Sequence, residues 1–233
     1  MTGLRTAFYP LGNVVHGGEP SPYDPGQVVF SSDSTPSATS VEVLANGVYK
    51  LILVGGGASG KYLYQYNQNT KIWNERIAGG GSGSYFEGYI QLNAGTYTIQ
   101  KGTAGHTNTS ASPVAPSSTA KNSIFGNCTA YAGSVWDGSS TSIGGAGGAL
   151  PSIGYTVLST VSKVKGNDGT VKGASGQSSS PQYSALTGTG GAAKYSTYGR
   201  GETLKVSSSG KVTISTASTD GLVYLEYYGS FYP

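Results

Sequence analysis

Glycine constrains this chain more than any other residue type, because 38 of its 233 residues are glycine. Average usage would give fewer than half as many. Many of them stand in blocks, at residues 55–60, 79–83, 144–148, 188–191 and 199–201. A long structureless region is uncommon inside a compact domain. We therefore expect the blocks to be ordered, as extended polyglycine II segments joined by lateral backbone hydrogen bonds, because glycine lacks the Cβ that would keep them apart.

Around the blocks the sequence is patterned as β-strand, and no segment shows a helical period. A short strand is predicted at 27–30, and strand–turn–strand patterns predict hairpins at 41–54, 84–101 and 211–228. The last strand is expected to pair with the early strands. Residues 48–54 are apolar on both faces near their end, which favours a central strand. The predicted fold class is all-β, a β-sandwich or meander with glycine-rich, polyglycine II segments.

The first 40 residues differ in character from the rest. Their prolines interrupt any long element and lie at Pro10, Pro20, Pro22, Pro25 and Pro36. We expect an N-terminal attachment segment over residues 1–40 and a glycine-rich β domain over residues 41–233. The N-terminus lacks a basic stretch followed by an apolar one, and no long apolar run follows, so neither a secretory signal nor membrane insertion is expected.

Composition argues against several classes of protein. Lysine and arginine number 14 and acidic residues 11, with no basic run, which argues against a nucleic-acid partner. The hydrophobic fraction of 36% and the patterned strands argue against disorder. A single cysteine, Cys128, rules out an internal disulfide or a multi-cysteine metal site.

Residues 55–61 match the spacing of a phosphate-binding loop, with Lys61 in the lysine position. Such a loop needs a helix after it, whose first amides hold the phosphate. Instead, residues 62–67 alternate with a period of two, and Tyr62 stands where a serine or threonine is needed. We therefore expect no nucleotide site.

Catalytic groups are sparse. Cys128 has a base available only if the fold brings His106 close, and a lone cysteine of this kind is more often a small buried residue. The few carboxylates are scattered; their pairing is spatial, so a glycosidase is left open by the sequence. We expect no catalytic residue, no metal ligand set and no cofactor, and the chain is predicted not to be an enzyme.

Aromatic residues offer the best candidate contacts. Tyr62, Tyr64 and Tyr66 alternate on one face of an extended segment, Trp73 follows, and Trp136 lies in a Gly/Ser-rich loop. Tyrosine and tryptophan supply rigid, amphipathic contact area at low entropic cost. Tyr64, Tyr66, Trp73 and Trp136 are the predicted contact residues for a saccharide or protein surface. The alternative is that the tyrosine stripe packs against the glycine segments.

A family resemblance rests on the order of the patterned segments. Residues 47–57, 79–85, 92–99 and 221–227 resemble the strands and glycine blocks of glycine-rich domains in phage tail fibres, over about Val41 to Tyr228. The style is similar to that of the polyglycine adhesins at the fibre tips of T-even-type phages. Those proteins present variable loops between glycine blocks to bacterial surface receptors. Glycine-rich domains of cell-surface receptors share the style.

The resemblance implies a viral protein of the virion tail that acts outside the cell in host attachment. Its implied partners are a bacterial surface glycan or outer-surface protein, and other tail or fibre proteins. Fibre proteins are often trimeric, although no heptad or triple-strand repeat stands in this sequence. The alternatives are a structural tail protein without receptor contact, a cell-surface glycine-rich binding module, and a depolymerase of the surface glycan.

Overall fold

The computed structural model describes residues 21–110, 114–140, 142–177 and 183–230, and all of their regular elements are β-strands. The strands are β1 (Val28–Ser31), β2 (Ser40–Val43), β3 (Gly47–Val54), β4 (Lys61–Asn67), β5 (Ile72–Ala78), β6 (Tyr85–Leu92), β7 (Gly95–Gln100), β8 (His106–Asn108), β9 (Ala115–Ser118), β10 (Ser123–Phe125), β11 (Cys128–Ala130), β12 (Val157–Val164), β13 (Val171–Gln177), β14 (Leu186–Gly188), β15 (Thr203–Val206), β16 (Val212–Thr216) and β17 (Leu222–Ser230). The all-β prediction is confirmed.

Two antiparallel sheets form a β-sandwich at one end of the molecule. One has the strand order β1-β17-β3-β6-β12, and the other has the order β11-β10-β7-β2. Alternating apolar side chains from both sheets meet in one core, which includes Leu51, Phe86, Ile99, Phe125 and Leu225. Strand β3 is central, as its apolar sequence predicted.

The glycine blocks form a second layer, named here the glycine lattice. Its extended segments are 55–60, 79–84, 102–105, 119–122, 131–134, 144–148, 166–170, 188–191, 199–202 and 217–221. They lie side by side and exchange backbone hydrogen bonds across segment boundaries. The prediction of ordered, laterally bonded glycine segments is confirmed.

Segment 79–84 shows how the lattice is built. Its successive N–H groups donate to three neighbouring segments in turn and return to the first neighbour after three residues, at N···O distances of 2.7–3.2 Å. The donor and acceptor pairs are Gly79 to Thr170, Gly80 to Glu202, Gly81 to Ser134, Ser82 to Asn167, Gly83 to Gly199 and Ser84 to Tyr131. A period of three is the periodicity of polyproline II-type backbone, so this segment has polyglycine II character.

The carbonyl groups of the same segment face three further neighbours. Those of Gly79, Gly80 and Gly81 accept from residues of segments 144–148, 188–191 and 55–60. Segment 79–84 therefore has a hydrogen-bonded neighbour on each of six sides and is fully buried. A side chain cannot fit at Gly81, because its Cβ would lie 1.9 Å from the carbonyl oxygen of Ala146.

The lattice separates the sandwich from a set of smaller sheets at the opposite end, named here the distal end. Segment 55–60 leads from β3 of the sandwich to β4, and segment 79–84 leads from β5 back to β6. Later segments repeat this alternation. The distal end therefore holds a sheet of order β13-β5-β4, a meander of order β14-β15-β16 and the pair β8-β9.

The predicted strands are present, but the three predicted hairpins are wrong. Strand β2 pairs with β7 and not with β3, and β6 pairs with β3 and β12 and not with β7. The tight turns after β2 and β6 instead carry the chain from one sheet of the sandwich to the other, whereas lattice segment 217–221 joins β16 of a separate sheet to β17. Strand β16 pairs with β15, whereas β17 pairs with β1 and β3, so only the predicted pairing of the last strand with early strands is confirmed.

Part of the N-terminal region belongs to the sandwich. The predicted short strand is present as β1, which pairs with β17. The Tyr23 ring packs against Tyr49 and Tyr227, and its hydroxyl accepts a hydrogen bond from the Leu44 N–H at 2.9 Å. The β fold therefore includes residues before Val41. Residues 1–20 of the predicted attachment segment lie outside the described residues, and attachment through 1–40 stays a prediction.

Candidate functional site at the distal end

The hairpin of β4 and β5 brings three of the four predicted contact residues together. Strand alternation places Tyr62, Tyr64 and Tyr66 on one face of β4, and the register sets Tyr66 opposite Trp73 of β5. The Tyr64 and Trp73 rings are stacked, with centroids 4.6 Å apart and planes 13° apart. Tyr66 lies 4.8 Å from Trp73 at an angle of 45°.

Tyr183 joins this cluster from a distant part of the chain. Its ring stacks on the Tyr64 ring, with centroids 4.8 Å apart and planes 29° apart. Tyr64, Tyr66, Trp73 and Tyr183 are all half-buried, so each residue keeps part of its surface in solvent. Aromatic stacking of this kind holds rings in fixed positions. We call these four residues the aromatic platform.

The inner end of the tyrosine stripe is structural. Tyr62 is buried and its hydroxyl donates to the Glu75 carboxylate at 3.0 Å. The same carboxylate accepts from the Ser184 N–H at 2.8 Å. Burial, followed by the Glu75 contact, raises the pKa of Tyr62 well above its ordinary value. Tyr62 is thus packed, but against Ile77, Leu204 and Val206 and not against the glycine segments. The outer residues of the stripe form the platform.

Trp136 lies away from the platform. It is only 2% exposed and packs with Leu63, Ala78 and Val171 on the opposite face of the β13-β5-β4 sheet. Its indole N–H donates to the Ser140 carbonyl at 3.1 Å. A receptor reaching the platform would not touch this ring, because the sheet lies between them.

The sequence pattern missed Tyr183, since only the tertiary fold brings it beside β4. The sequence pattern also did not identify the tip of the β4–β5 hairpin as a candidate contact. The side chains of Asn67, Gln68 and Asn69 are exposed there. Asn67 Oδ1 accepts from the N–H groups of Asn69 and Thr70 and so fixes the turn. The run of amides between Gln65 and Asn74 was the available signal, because such side chains both donate and accept hydrogen bonds.

The phosphate-loop spacing at residues 55–61 has a structural explanation. Strand β4 follows it, and not a helix. The N–H groups of Gly55, Gly56 and Gly57 already donate to carbonyls of Ser84, Lys121 and Thr219. Because these N–H groups already donate hydrogen bonds within the lattice, they are not available to bind a phosphate.

Cys128 is buried in the core of the sandwich, whereas His106 begins β8 at the distal end. The prediction of a small buried residue is confirmed. Burial raises the pKa of the thiol to about 11, so little thiolate forms near neutral pH.

We expect the Cys128 thiol of the native protein to resist iodoacetamide at pH 8 and to react fully in denaturant. The reason is that both burial and the raised pKa withhold the nucleophilic thiolate. Mass spectrometry of alkylated protein measures the outcome. Rapid native labelling would contradict the described environment.

The described ranges hold neither a metal-ligand cluster nor a membrane-spanning helix. Within them no three histidine, cysteine or acidic side chains gather as metal ligands. None of the residues placed by the structure forms a helix long and apolar enough to cross a bilayer. The aromatic platform is the candidate site that the predicted contact residues form.

Comparison with known proteins identifies the family. No curated protein matches the chain. A family described as a glycine-rich domain matches residues 33–228. The matched range begins after β1 and reaches into β17, so it contains almost the whole sandwich, the glycine lattice and the distal sheets. This chain therefore belongs to the glycine-rich domain family.

Proposed function

We propose that the protein is a receptor-binding adhesin of a phage tail fibre or tail tip, and that its distal end contacts the host cell surface. The observation that carries the proposal is the polarity of the molecule. Strands β1 and β17, which hold the two ends of the described chain, lie in the sandwich. The aromatic platform lies beyond the glycine lattice, at the other end.

In this proposal the sandwich end faces the virion. Residues 1–40 and the sandwich attach the protein to other tail or fibre proteins. The distal hairpin is then held away from the particle, where the platform meets a bacterial surface glycan or an outer-surface protein.

The lattice supports this role by fixing the hairpin at both of its ends. Strand β4 emerges from segment 55–60 and β5 returns into segment 79–84, and both segments are fully buried. Binding by loops costs less conformational entropy when the loops are already positioned. A rigid base with aromatic residues at its tip is the arrangement that surface recognition favours.

The test is binding of the fluorescently labelled full chain to a panel of bacterial strains. We expect saturable binding to a few strains, lowered about 30-fold by Trp73→Ala, because central aromatic residues contribute most of the binding energy at interfaces. The matched control is Tyr228→Ala, which removes an exposed aromatic side chain at the sandwich end. That variant should bind normally.

Two results would contradict the proposal. If no strain is bound while the chain assembles tightly with tail proteins, the protein is a structural tail component. If Tyr228→Ala weakens binding as much as Trp73→Ala, the distal end is not the contact surface. Release of sugar from the cells would instead indicate a depolymerase.

A further inference from the structure

The face of the β13-β5-β4 sheet opposite the aromatic platform carries a polar cleft. The antiparallel register places Gln65, Asn74 and Ser175 in one row across the three strands. The next row holds Leu63, Arg76 and Gly173. Residues directly opposite one another in a ladder share a face, so the amide, hydroxyl and guanidinium groups lie on one surface.

Gly173 shapes the cleft because it has no side chain beside Arg76. Asn74, Arg76, Gly173 and Ser175 line the opening. A Cβ on Gly173 would lie 3.4 Å from Arg76 Cγ and 3.2 Å from the Glu75 carbonyl oxygen. An added methyl group would therefore intrude on the arginine side of the cleft.

Arg76 is the cation of the cleft, and no ion pair in the described parts of the chain involves it. The neighbouring carboxylate on its own strand, Glu75, points to the opposite face, where it accepts from Tyr62 and Ser184. Lys61 shares the cleft face, but its ammonium group lies 6.0 Å from the centroid of the Trp136 ring, above that ring. The guanidinium of Arg76 thus remains available for an external anion.

We propose that this cleft binds an oxyanion-bearing sugar, one that carries a carboxylate or a phosphate. Arginine presents paired N–H groups that match both oxyanions in a bidentate manner. The Asn74 amide and the Ser175 hydroxyl both donate and accept, as sugar hydroxyls require. The inference rests on the proposed function, because a distal cleft meets surface polysaccharide only if the distal end faces the host.

The experiment measures affinity of the purified full chain for soluble probes by calorimetry, without cells. The probes are a glucuronate oligosaccharide, glucose 6-phosphate and a neutral malto-oligosaccharide. We expect at least one anionic probe to bind and the neutral probe to bind at least tenfold more weakly. Arg76→Gln should lower the affinity for the anionic probe about tenfold or more, and Gly173→Ala should lower it by narrowing the cleft.

The matched control is Lys172→Gln, which removes a positive charge from the neighbouring strand on the opposite face, where Lys172 pairs with Ile77. It should leave affinity unchanged. Binding of the glucuronate probe alone identifies a carboxylate sugar, and binding of the phosphate probe alone identifies a phosphorylated one.

Three outcomes would overturn the inference: no binding of either anionic probe, equal binding of the neutral probe, or equal loss in Lys172→Gln and Arg76→Gln. If no anionic probe binds but Trp73-dependent binding to cells is intact, the cleft inference is wrong and the adhesin proposal stands. Probe binding without any cell binding would support the cleft and contradict the adhesin proposal.

Discussion

Gly81→Ala is expected to destabilise the native state by about 4 kcal/mol or more, a loss at the extreme of single substitutions. The added Cβ would lie 1.9 Å from the carbonyl oxygen of Ala146 and 2.4 Å from its carbon. Both atoms are backbone atoms of a neighbouring lattice segment, so no side chain can rotate away. Relief requires separating segments 79–84 and 144–148, which breaks the hydrogen bonds that the N–H groups of Gly145 and Gly148 donate to the central segment.

Urea unfolding followed by circular dichroism measures this effect. The matched control is Gly229→Ala in β17, where an added Cβ meets no atom within 4 Å. Alanine in an open extended position is expected to change stability by less than about 1 kcal/mol. If the two variants unfold at similar urea concentrations, the close approach of lattice segments is not what selects glycine.

Glu202→Ala is expected to lower the free energy of unfolding by about 3 kcal/mol, from a lost buried acceptor and a new cavity. The Glu202 side chain is fully buried where the lattice meets β15. Its Oε2 accepts from the Gly60 N–H at 2.8 Å and contacts the Thr107 hydroxyl. Alanine would leave the Gly60 N–H without its acceptor in a place that water does not reach.

Glu202→Gln is the matched comparison, because it keeps an acceptor and the side-chain volume. No cation pairs with Glu202 among the described residues, and Oε1 has no hydrogen-bond partner there. Removing the charge therefore breaks no ion pair, and we expect the free energy of unfolding to change by no more than about 1 kcal/mol. Thermal unfolding of both variants decides the point. A glutamine variant as unstable as the alanine variant would show that the charge itself is required.

Both predictions follow from how the lattice is stabilised. Glycine loses more backbone entropy on folding than any other residue, and it has no side chain to bury in return. The compensating contributions are backbone hydrogen bonds in several directions and close packing of bare backbones. The same arrangement gives the distal hairpin a stiff base, which links the composition of the chain to the function proposed for it.

The strands of the sandwich were largely predictable, but their partners were not. Period-two alternation marked β3, β6 and β7, because each strand has one face in the core. The turn residues between β2 and β3 signal only a sharp reversal. A hairpin and a corner between two sheets use similar turn residues, so which sheet receives the next strand depends on contacts far away in the sequence.

The residues of the candidate sites were likewise only partly predictable from the sequence. Alternation within β4 identified Tyr64 and Tyr66, and Trp73 follows from the register of a local hairpin. Trp136 stands in a Gly/Ser-rich sequence that is typical of an exposed loop, yet the fold buries it against Ala78 and Val171. Arg76 and Gly173 form a cleft only because β13 pairs with β5.

The sequence by itself determined the all-β class, the strand segments and the ordering of the glycine blocks, because these depend on alternation and on the absence of Cβ. The tertiary structure alone decided that segment 79–84 has six neighbours, that Tyr183 completes the aromatic platform and that Trp136 is buried. The physical reason is that glycine blocks carry almost no side-chain information. Their pairing is therefore selected by the side chains of the sheets at either end of the lattice and not by the blocks themselves.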